Sequence, residues 1–396
     1  MSFERNFATQ DCWLVSMPPK NNFRHQVYSP DLPKTEFTIL RPTTPPNDES
    51  IVRQRLGEVG RKLESAGVSS IYLLHGTFAG TDSLGVIREI SRVSPRFSNM
   101  LGKNRKSLVD KLTGDAGNFT ADYAAQLSTS INVSTNTSIQ VKRFDWSSEN
   151  HHLGRADGAI CLLKELVENA RRGQRTLLVG HSHAGNVFAL LTNLLCADKE
   201  IRKQFFHAAR WFYQIPLIKR IDAPIWDEVK ILLNDVSPLD FCLDIVTMGT
   251  PVRYGWDSDG YRKLLHFIHH RPVENEPLDR IRFPPTIDEL VGASSGDFIQ
   301  HMGIAGTNFM PYLLTLRNWF AERRLAKLLQ STTKKRDLIQ RLGYGQRLHD
   351  EGSTLLVEYP DVEQAPYRSA LGHAVYTRCQ WMLFHFEEIA QRFYGN

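Results

Sequence analysis

The stretch that decides the fold is Leu177-Leu178-Val179-Gly180-His181-Ser182-His183-Ala184-Gly185-Asn186. It opens with the end of an apolar run, which is typical of a buried strand, and it leads into a segment with helical periodicity. The serine between them has small residues two positions before and two positions after it. This is the layout of a tight strand–turn–helix, which holds one serine hydroxyl above the edge of a sheet. The pattern predicts an α/β sheet organised around Ser182.

The pattern resembles the nucleophile elbow of the α/β-hydrolase superfamily, in its lipase- and esterase-like branch. The usual elbow is G-x-S-x-G, and Ala184 departs from it. Two further segments are similar to segments of lipase-like hydrolases, one before the elbow strand (FDWSSEN, 144–150) and one after the next strand (TMGTP, 247–251). The resemblance extends over about residues 69–380. It implies one α/β-hydrolase domain over residues 1–396, with a mostly parallel central sheet and helices on both faces.

Apolar runs predict the other strands, at residues 68–74, 139–144, 241–248, 264–268 and 354–359. Amphipathic periodicity predicts helices at about residues 50–65, 156–170, 186–196, 310–329 and 381–393. Residues 1–48 are expected to form an N-terminal extension with one or two edge strands. Residues 81–135, which are basic, and 201–240, which are aromatic, are expected to be cap or lid insertions. The aromatic residues either line a hydrophobic acyl pocket or bury the second insertion against the body.

The resemblance assigns an oxyanion hole, which is a pair of backbone N–H groups that stabilise the charge of a tetrahedral intermediate. One donor follows the first strand, in His75-Gly76-Thr77, and by position it is the N–H of Thr77. The other is the N–H of the residue after the nucleophile, His183. Loss of one such donor typically lowers the rate about 100- to 1,000-fold.

A serine nucleophile needs a base and an acid that orients the base, and the resemblance implies the chain order serine, acid, histidine. His373 follows the last predicted strand and is the predicted base, with His301, His269 and His270 as competitors. Asp297, which lies between the last two strands, is the preferred acid. The other candidate acids are Asp257, Asp279, Glu274 and Asp350.

Composition limits the remaining function classes. The net charge of +5 over 396 residues is mild and gives no argument for nucleic-acid binding. No signal-peptide pattern or long apolar run is present, and five dispersed cysteines are typical of a reducing compartment, so a cytoplasmic location is expected. His181-Ser182-His183 lacks the Asp-His continuation of metal-dependent hydrolases, and no nucleotide-binding fingerprint is present.

The expected activity is therefore hydrolysis of a carboxylic ester, with a lipid-like or hydrophobic acyl group, through a Ser-His-Asp triad. The resemblance implies no cofactor. Three alternatives stay open: a thioesterase or amidase of the same fold, a non-catalytic scaffold that binds a partner, and a lipase whose basic helices contact an anionic membrane. The sequence predicts neither the natural substrate nor the oligomeric state.

Overall fold

The computed structural model describes residues 23, 35–76, 118–169, 173–215, 220–221, 223–286, 289, 294–304, 316–329, 340–360 and 372–395. Seven strands form one parallel sheet: β1 (Phe37–Leu40), β2 (Val68–Leu74), β3 (Gln140–Phe144), β4 (Arg175–His181), β5 (Cys242–Met248), β6 (Lys263–His269) and β7 (Ser353–Val357). Their order across the sheet is β1-β7-β6-β5-β4-β2-β3. Residues Gln214–Ile215 and Arg220–Ile221 form a separate antiparallel pair.

The helices are α1 (Glu49–Ser65), α2 (Ala121–Ile131), α3 (His152–Asn169), α4 (Ala184–Cys196), α5 (Lys199–Tyr213), α6 (Pro224–Leu232), α7 (Phe298–Ile304), α8 (Leu316–Leu329) and α9 (Met382–Tyr394). Short 3₁₀ segments lie at Pro238–Asp240, Ser258–Gly260, His373–Thr377 and Cys379–Trp381. Asp48 begins α1 because its carboxylate accepts the Ser50 N–H at 2.8 Å.

The sheet is apolar on both faces, as the continuous apolar runs predict for buried parallel strands. In β2, Tyr72 and Leu74 belong to a core that includes side chains of α3 and α4, whereas Ile71 and Leu73 belong to a core with α1, α2 and α9. Helices therefore pack against both faces. This confirms the expected α/β class, with all seven strands parallel.

The strands lie within one or two residues of the predicted bounds, but α3 begins at His152, four residues before the predicted start. The carboxylate of Glu322, in α8, accepts the backbone N–H of His152 at 3.1 Å and that of Leu153 at 2.6 Å. A residue 170 positions away thus supplies the first turn of α3 with its acceptors. The periodicity of residues 152–170 cannot reveal such a partner.

The structure describes only the last part of the first predicted insertion but most of the second. Residues 81–117 lie outside the described residues, as do the predicted helix start at Met310 and most of residues 1–34. In the second insertion, aromatic residues of α5 and α6 are buried in the core that contains α3 and α4: Phe205, Phe206, Phe212 and Trp226. These side chains bury the segment against the body and give no argument for an acyl pocket.

Parallel strands bring their carboxyl ends to one edge of the sheet. β4 lies between β2 and β5, so the segments that follow these three strands meet there: His75-Gly76, Ser182 and Gly249-Thr250. In open parallel sheets this edge is where ligands bind. The candidate site lies at this edge.

Candidate active site

Ser182 lies in a strained turn between β4 and α4. Its φ is +55°, in the left-handed region that costs a non-glycine residue about 1–3 kcal/mol. Two hydrogen bonds hold the turn: the Ser182 N–H donates to the Met248 carbonyl at 2.8 Å, and the Thr250 hydroxyl donates to the Ser182 carbonyl at 2.6 Å. The segment after β5 therefore fixes the backbone that presents the serine hydroxyl.

Close approach of strand and helix explains the small residues around Ser182. A Cβ added at Gly180 would lie 2.5 Å from Cε2 of Phe188 and 3.1 Å from Cβ of Ala184. The methyl group of Ala184 itself is fully buried at this crossing. Alanine therefore fits where the usual elbow has glycine, as long as residue 180 has no side chain.

Gly76, at the end of β2, approaches the same turn from the other side. A Cβ added there would lie 2.7 Å from Cβ of Ser182 and 3.4 Å from its Oγ. The residue that follows, Thr77, lies outside the described residues. The structure thus places the segment leading to the predicted oxyanion donor against the serine, while Thr77 itself stays a prediction.

His373 and Asp297 are brought together across 76 residues of sequence. Nδ1 of His373 lies 2.7 Å from Oδ2 of Asp297, and the Tyr376 hydroxyl donates to the same oxygen at 2.9 Å. His373 and Tyr376 are three residues apart in a 3₁₀ segment, where side chains at i and i+3 point the same way. The other carboxylate oxygen, Oδ1, accepts the Gln300 N–H at 2.9 Å. An acceptor-only carboxylate with three donors orients the imidazole with its proton on Nδ1.

The surroundings of Asp297 favour its ionised form. Burial opposes ionisation, but the adjacent His373, the Gln300 N–H and the positive charge of Arg347 hold the pKa of Asp297 below its ordinary value. Arg347 is fully buried and donates to the His269 carbonyl at 2.6 Å; burial lowers its pKa to about 10, so it remains a cation at neutral pH. Burial and the nearby Asp297 raise the pKa of Tyr376 well above its ordinary value, so its hydroxyl stays a donor.

His181 joins the serine turn to the base. Its Nε2–H donates to the His373 carbonyl at 3.0 Å, and the two imidazole rings lie 4.5 Å apart between centroids. Nε2 of His373 is buried and has no hydrogen-bond partner within the described residues. The Ser182 hydroxyl therefore makes no hydrogen bond to this atom in the structure, although the His373 ring lies against His181, the residue before Ser182.

The second predicted oxyanion residue, His183, immediately precedes α4. A backbone N–H at a helix N-terminus has no acceptor within the helix and carries part of the positive end of the helix dipole. The His183 side chain points into a polar cluster, where Nδ1 accepts from Asn186 at 3.1 Å and from Arg155 at 3.4 Å. Burial, and then the charges of Arg155 and Arg253, lower its pKa well below the ordinary value. Its imidazole is thus neutral, and its backbone is the group suited to an oxyanion.

The competing residues lie elsewhere or have other partners. Asp257 caps the 3₁₀ segment Ser258–Gly260, and Asp350 forms an ion pair with Arg341 at 3.0 Å. No described contact joins Glu274 or Asp279 to His373. The competing histidines bond to backbone carbonyls, His269 to Gly372, His270 to Leu278 and His301 to Leu342.

Three residues of the site were missed by sequence reasoning: His181 as a link, Tyr376 and Arg347. The spacing of three residues between His373 and Tyr376 is the one local feature of the sequence that could have placed Tyr376 beside the base. Within the part of the chain that the structure describes, no group of three or more His, Cys, Asp or Glu side chains could hold a metal ion. Nor is any described helix both long and apolar enough to cross a membrane.

Comparisons of the chain with protein-family models, curated proteins and solved structures find no match.

Proposed function

We propose that this chain is a serine hydrolase of the α/β-hydrolase fold that cleaves a carboxylic ester. The observation that carries the proposal is the ordered set Asp297–His373–His181–Ser182. A buried carboxylate orients the His373 imidazole at 2.7 Å, and the opposite ring nitrogen has no described partner. That ring packs on the residue next to a serine held at positive φ. The position of Ser182 after a central strand of a parallel sheet supports the fold.

The reaction uses these groups in order. Nε2 of His373 accepts the Ser182 hydroxyl proton as Oγ attacks the ester carbonyl carbon, which becomes tetrahedral with a negative oxygen. The backbone N–H of His183, at the N-terminus of α4, and that of Thr77 stabilise this oxygen. The intermediate collapses, the C–O bond to the alcohol breaks, and the imidazolium gives its proton to the departing oxygen. Water, deprotonated by His373, then hydrolyses the acyl-enzyme and restores Ser182.

Asp297 acts through His373. Its charge stabilises the imidazolium that forms in each half-reaction, and its hydrogen bond keeps Nε2 directed away from the carboxylate. The Tyr376 hydroxyl and the Gln300 N–H hold the carboxylate in place, and Tyr376 is in turn fixed by the His269 N–H, which donates to its oxygen at 2.7 Å.

A fluorophosphonate probe tests the nucleophile. We expect one label per chain in the wild type, located by mass spectrometry on Ser182, and no label in Ser182→Ala. The matched control is Ser130→Ala, which removes another buried serine, in α2 on the α1 side of the sheet. A wild-type chain that takes no label would favour a non-catalytic scaffold. A label that persists in Ser182→Ala would assign the nucleophile elsewhere.

The acyl group is tested with p-nitrophenyl esters from acetyl to palmitoyl. A lipid-like substrate predicts a kcat/KM that rises with chain length, since each buried methylene contributes about 0.8 kcal/mol to binding. Equal rates across the series would remove the hydrophobic acyl group from the proposal. Parallel assays with thioester and amide analogues distinguish ester hydrolysis from the two related reactions.

A further inference from the structure

The exposed face of α8 combines apolar and basic side chains. Leu316 and Phe320 are 57% and 42% exposed, and Arg323, Arg324 and Lys327 follow them at spacings that keep one face of a helix. The buried face of the same helix attaches it to the body through residues such as Glu322, Leu325 and Leu329. We name the exposed face, together with the α5 residues that border it, the α5–α8 surface.

Two half-buried tryptophans support this surface. Trp211 of α5 lies 5.6 Å from the Phe320 ring, and Trp319 lies 5.1 Å from the same ring. The guanidinium of Arg323 lies 4.7 Å from the Trp319 ring centre, and that of Arg324 lies 5.7 Å from the Trp211 ring centre. The aromatic rings and the cations therefore alternate at one place rather than occupying separate patches.

A groove of about 560 Å³ runs between the two helices beside this cluster. Its three described Lys and Arg cations come from both helices, Lys203 from α5 and Arg324 and Lys327 from α8. The one acid among the described lining residues, Glu200, lies 3.6 Å from Nζ of Lys203. Partial burial, followed by the charges of Arg210, Arg324 and Lys203, lowers the pKa of His207 in this groove. The described lining thus has two more cations than acids, which favours an anionic ligand such as a phosphate-bearing headgroup.

We propose that the α5–α8 surface docks the protein on an anionic phospholipid membrane. Basic residues attract the negative surface, Trp and Phe settle at the headgroup level, and exposed apolar side chains enter the acyl boundary. The combination of an exposed Leu and Phe with cations stacked on tryptophans matches each part of a membrane interface. The inference does not depend on the proposed hydrolysis, because none of these residues belongs to the serine site.

The surface is also connected to the site. Glu322, on the opposite side of α8, accepts the first N–H groups of α3, and Arg155 of α3 contacts His183 at 3.4 Å. The helix that carries the surface is thus joined to the Ser182 turn through α3.

The experiment uses the full chain carrying Ser182→Ala, so that binding is measured without any turnover. Sedimentation with phosphatidylcholine vesicles is compared with sedimentation with vesicles containing 30% phosphatidylglycerol. We expect binding to the anionic vesicles only, weakened at least tenfold between 0.1 and 0.5 M NaCl because salt screens exposed charges. A blue shift of tryptophan emission should accompany binding and disappear in Trp211→Phe/Trp319→Phe.

The triple variant Arg323→Gln/Arg324→Gln/Lys327→Gln should lower the partition coefficient at least about 20-fold. Its matched control, Arg53→Gln/Arg61→Gln/Lys62→Gln, removes the same charge from exposed positions of α1 and should change it less than threefold. Equal losses in both variants, or no binding by the parent chain at low salt, would overturn the proposal. So would a dimer in sedimentation velocity that Phe320→Ser dissociates, because the surface would then join two copies of this chain.

Discussion

Replacement of Asp297 by Asn tests the acid with almost no change of shape. In the structure Oδ1 accepts the Gln300 N–H at 2.9 Å, while Oδ2 accepts from His373 at 2.7 Å and from Tyr376 at 2.9 Å. An amide has one acceptor oxygen and one donor NH₂, so it cannot serve both sides. With its oxygen toward Gln300, the NH₂ group faces His373 and needs Nδ1 as an acceptor. The imidazole proton must then move to Nε2, where it prevents His373 from acting as a base.

The reversed amide keeps the correct tautomer of His373, but it sets its NH₂ against the Gln300 N–H. An unsatisfied buried donor costs about 1–3 kcal/mol, which limits this orientation to a minor population. Loss of the carboxylate charge beside the imidazolium lowers the rate of the molecules that do adopt it. The same exchange in a serine protease triad lowers kcat about 10⁴-fold. We expect a loss of about 10³- to 10⁴-fold in kcat, or about 4–5.5 kcal/mol.

The assay is hydrolysis of a p-nitrophenyl ester under saturating substrate, with thermal melting as the check on folding. Asp257→Asn is the matched control, since Asp257 is also buried but caps a 3₁₀ segment, and we expect its kcat to stay within about twofold of wild type. A folded Asp297→Asn protein with more than a tenth of wild-type kcat would refute the assignment of Asp297 as the acid. Comparable losses in the two variants would show that the assay reports general damage.

Three further predictions concern Tyr376, the glycine before Ser182 and the buried histidines. Tyr376→Phe removes one donor to Asp297 and leaves the His269 N–H without its acceptor. We expect about a tenfold lower kcat, with the acid limb of the pH–rate profile moved to higher pH. An unmoved profile would mean that Tyr376 is only structural. Gly180→Ala should lower Tm and abolish esterase activity, because the added Cβ would lie 2.5 Å from Cε2 of Phe188. Ala184→Gly should keep at least half of the activity. An active Gly180→Ala variant would contradict the packing of strand and helix at the elbow. Burial lowers the pKa of seven buried histidines below 6.5 in the described part of the folded chain. The pKa falls to about 4 for His269 and to about 3 for His266, His270, His301 and His385, and it lies well below the ordinary value for His183 and His349. The unfolded chain therefore binds more protons than the folded chain below pH 6.5. The free energy of unfolding is highest above that pH and falls toward pH 3–4, by a slope that approaches about 1.4 kcal/mol per histidine per pH unit. Calorimetry should show a steep fall of Tm between pH 6.5 and 5, and a flat Tm would contradict neutral buried histidines.

Local sequence was enough for the strands, for five of the helices and for the tight turn at Ser182. Apolar runs and periodicity predict the strands closely because a parallel sheet buries both faces of each strand. The small residues at positions 180 and 184 predict the tight turn, since strand and helix approach too closely there for larger side chains. The turn at Ser182 could be predicted from ten residues because the close approach of strand and helix requires small side chains within those residues.

The partners of the base depend on the order of strands and on loops that meet only in the folded chain. The sequence favours Asp297 among five acids only by its interval and the apolar residues that follow it, whereas the tertiary structure brings it within 2.7 Å of His373. Tyr376, Arg347 and the contact between His181 and the His373 carbonyl had no sequence pattern, since each depends on a distance between separate segments. Composition and spacing determined which reactive groups the chain contains. Only the tertiary structure decided which of them share one edge of the sheet, because hydrogen-bond distances and local charge are set by packing across the fold.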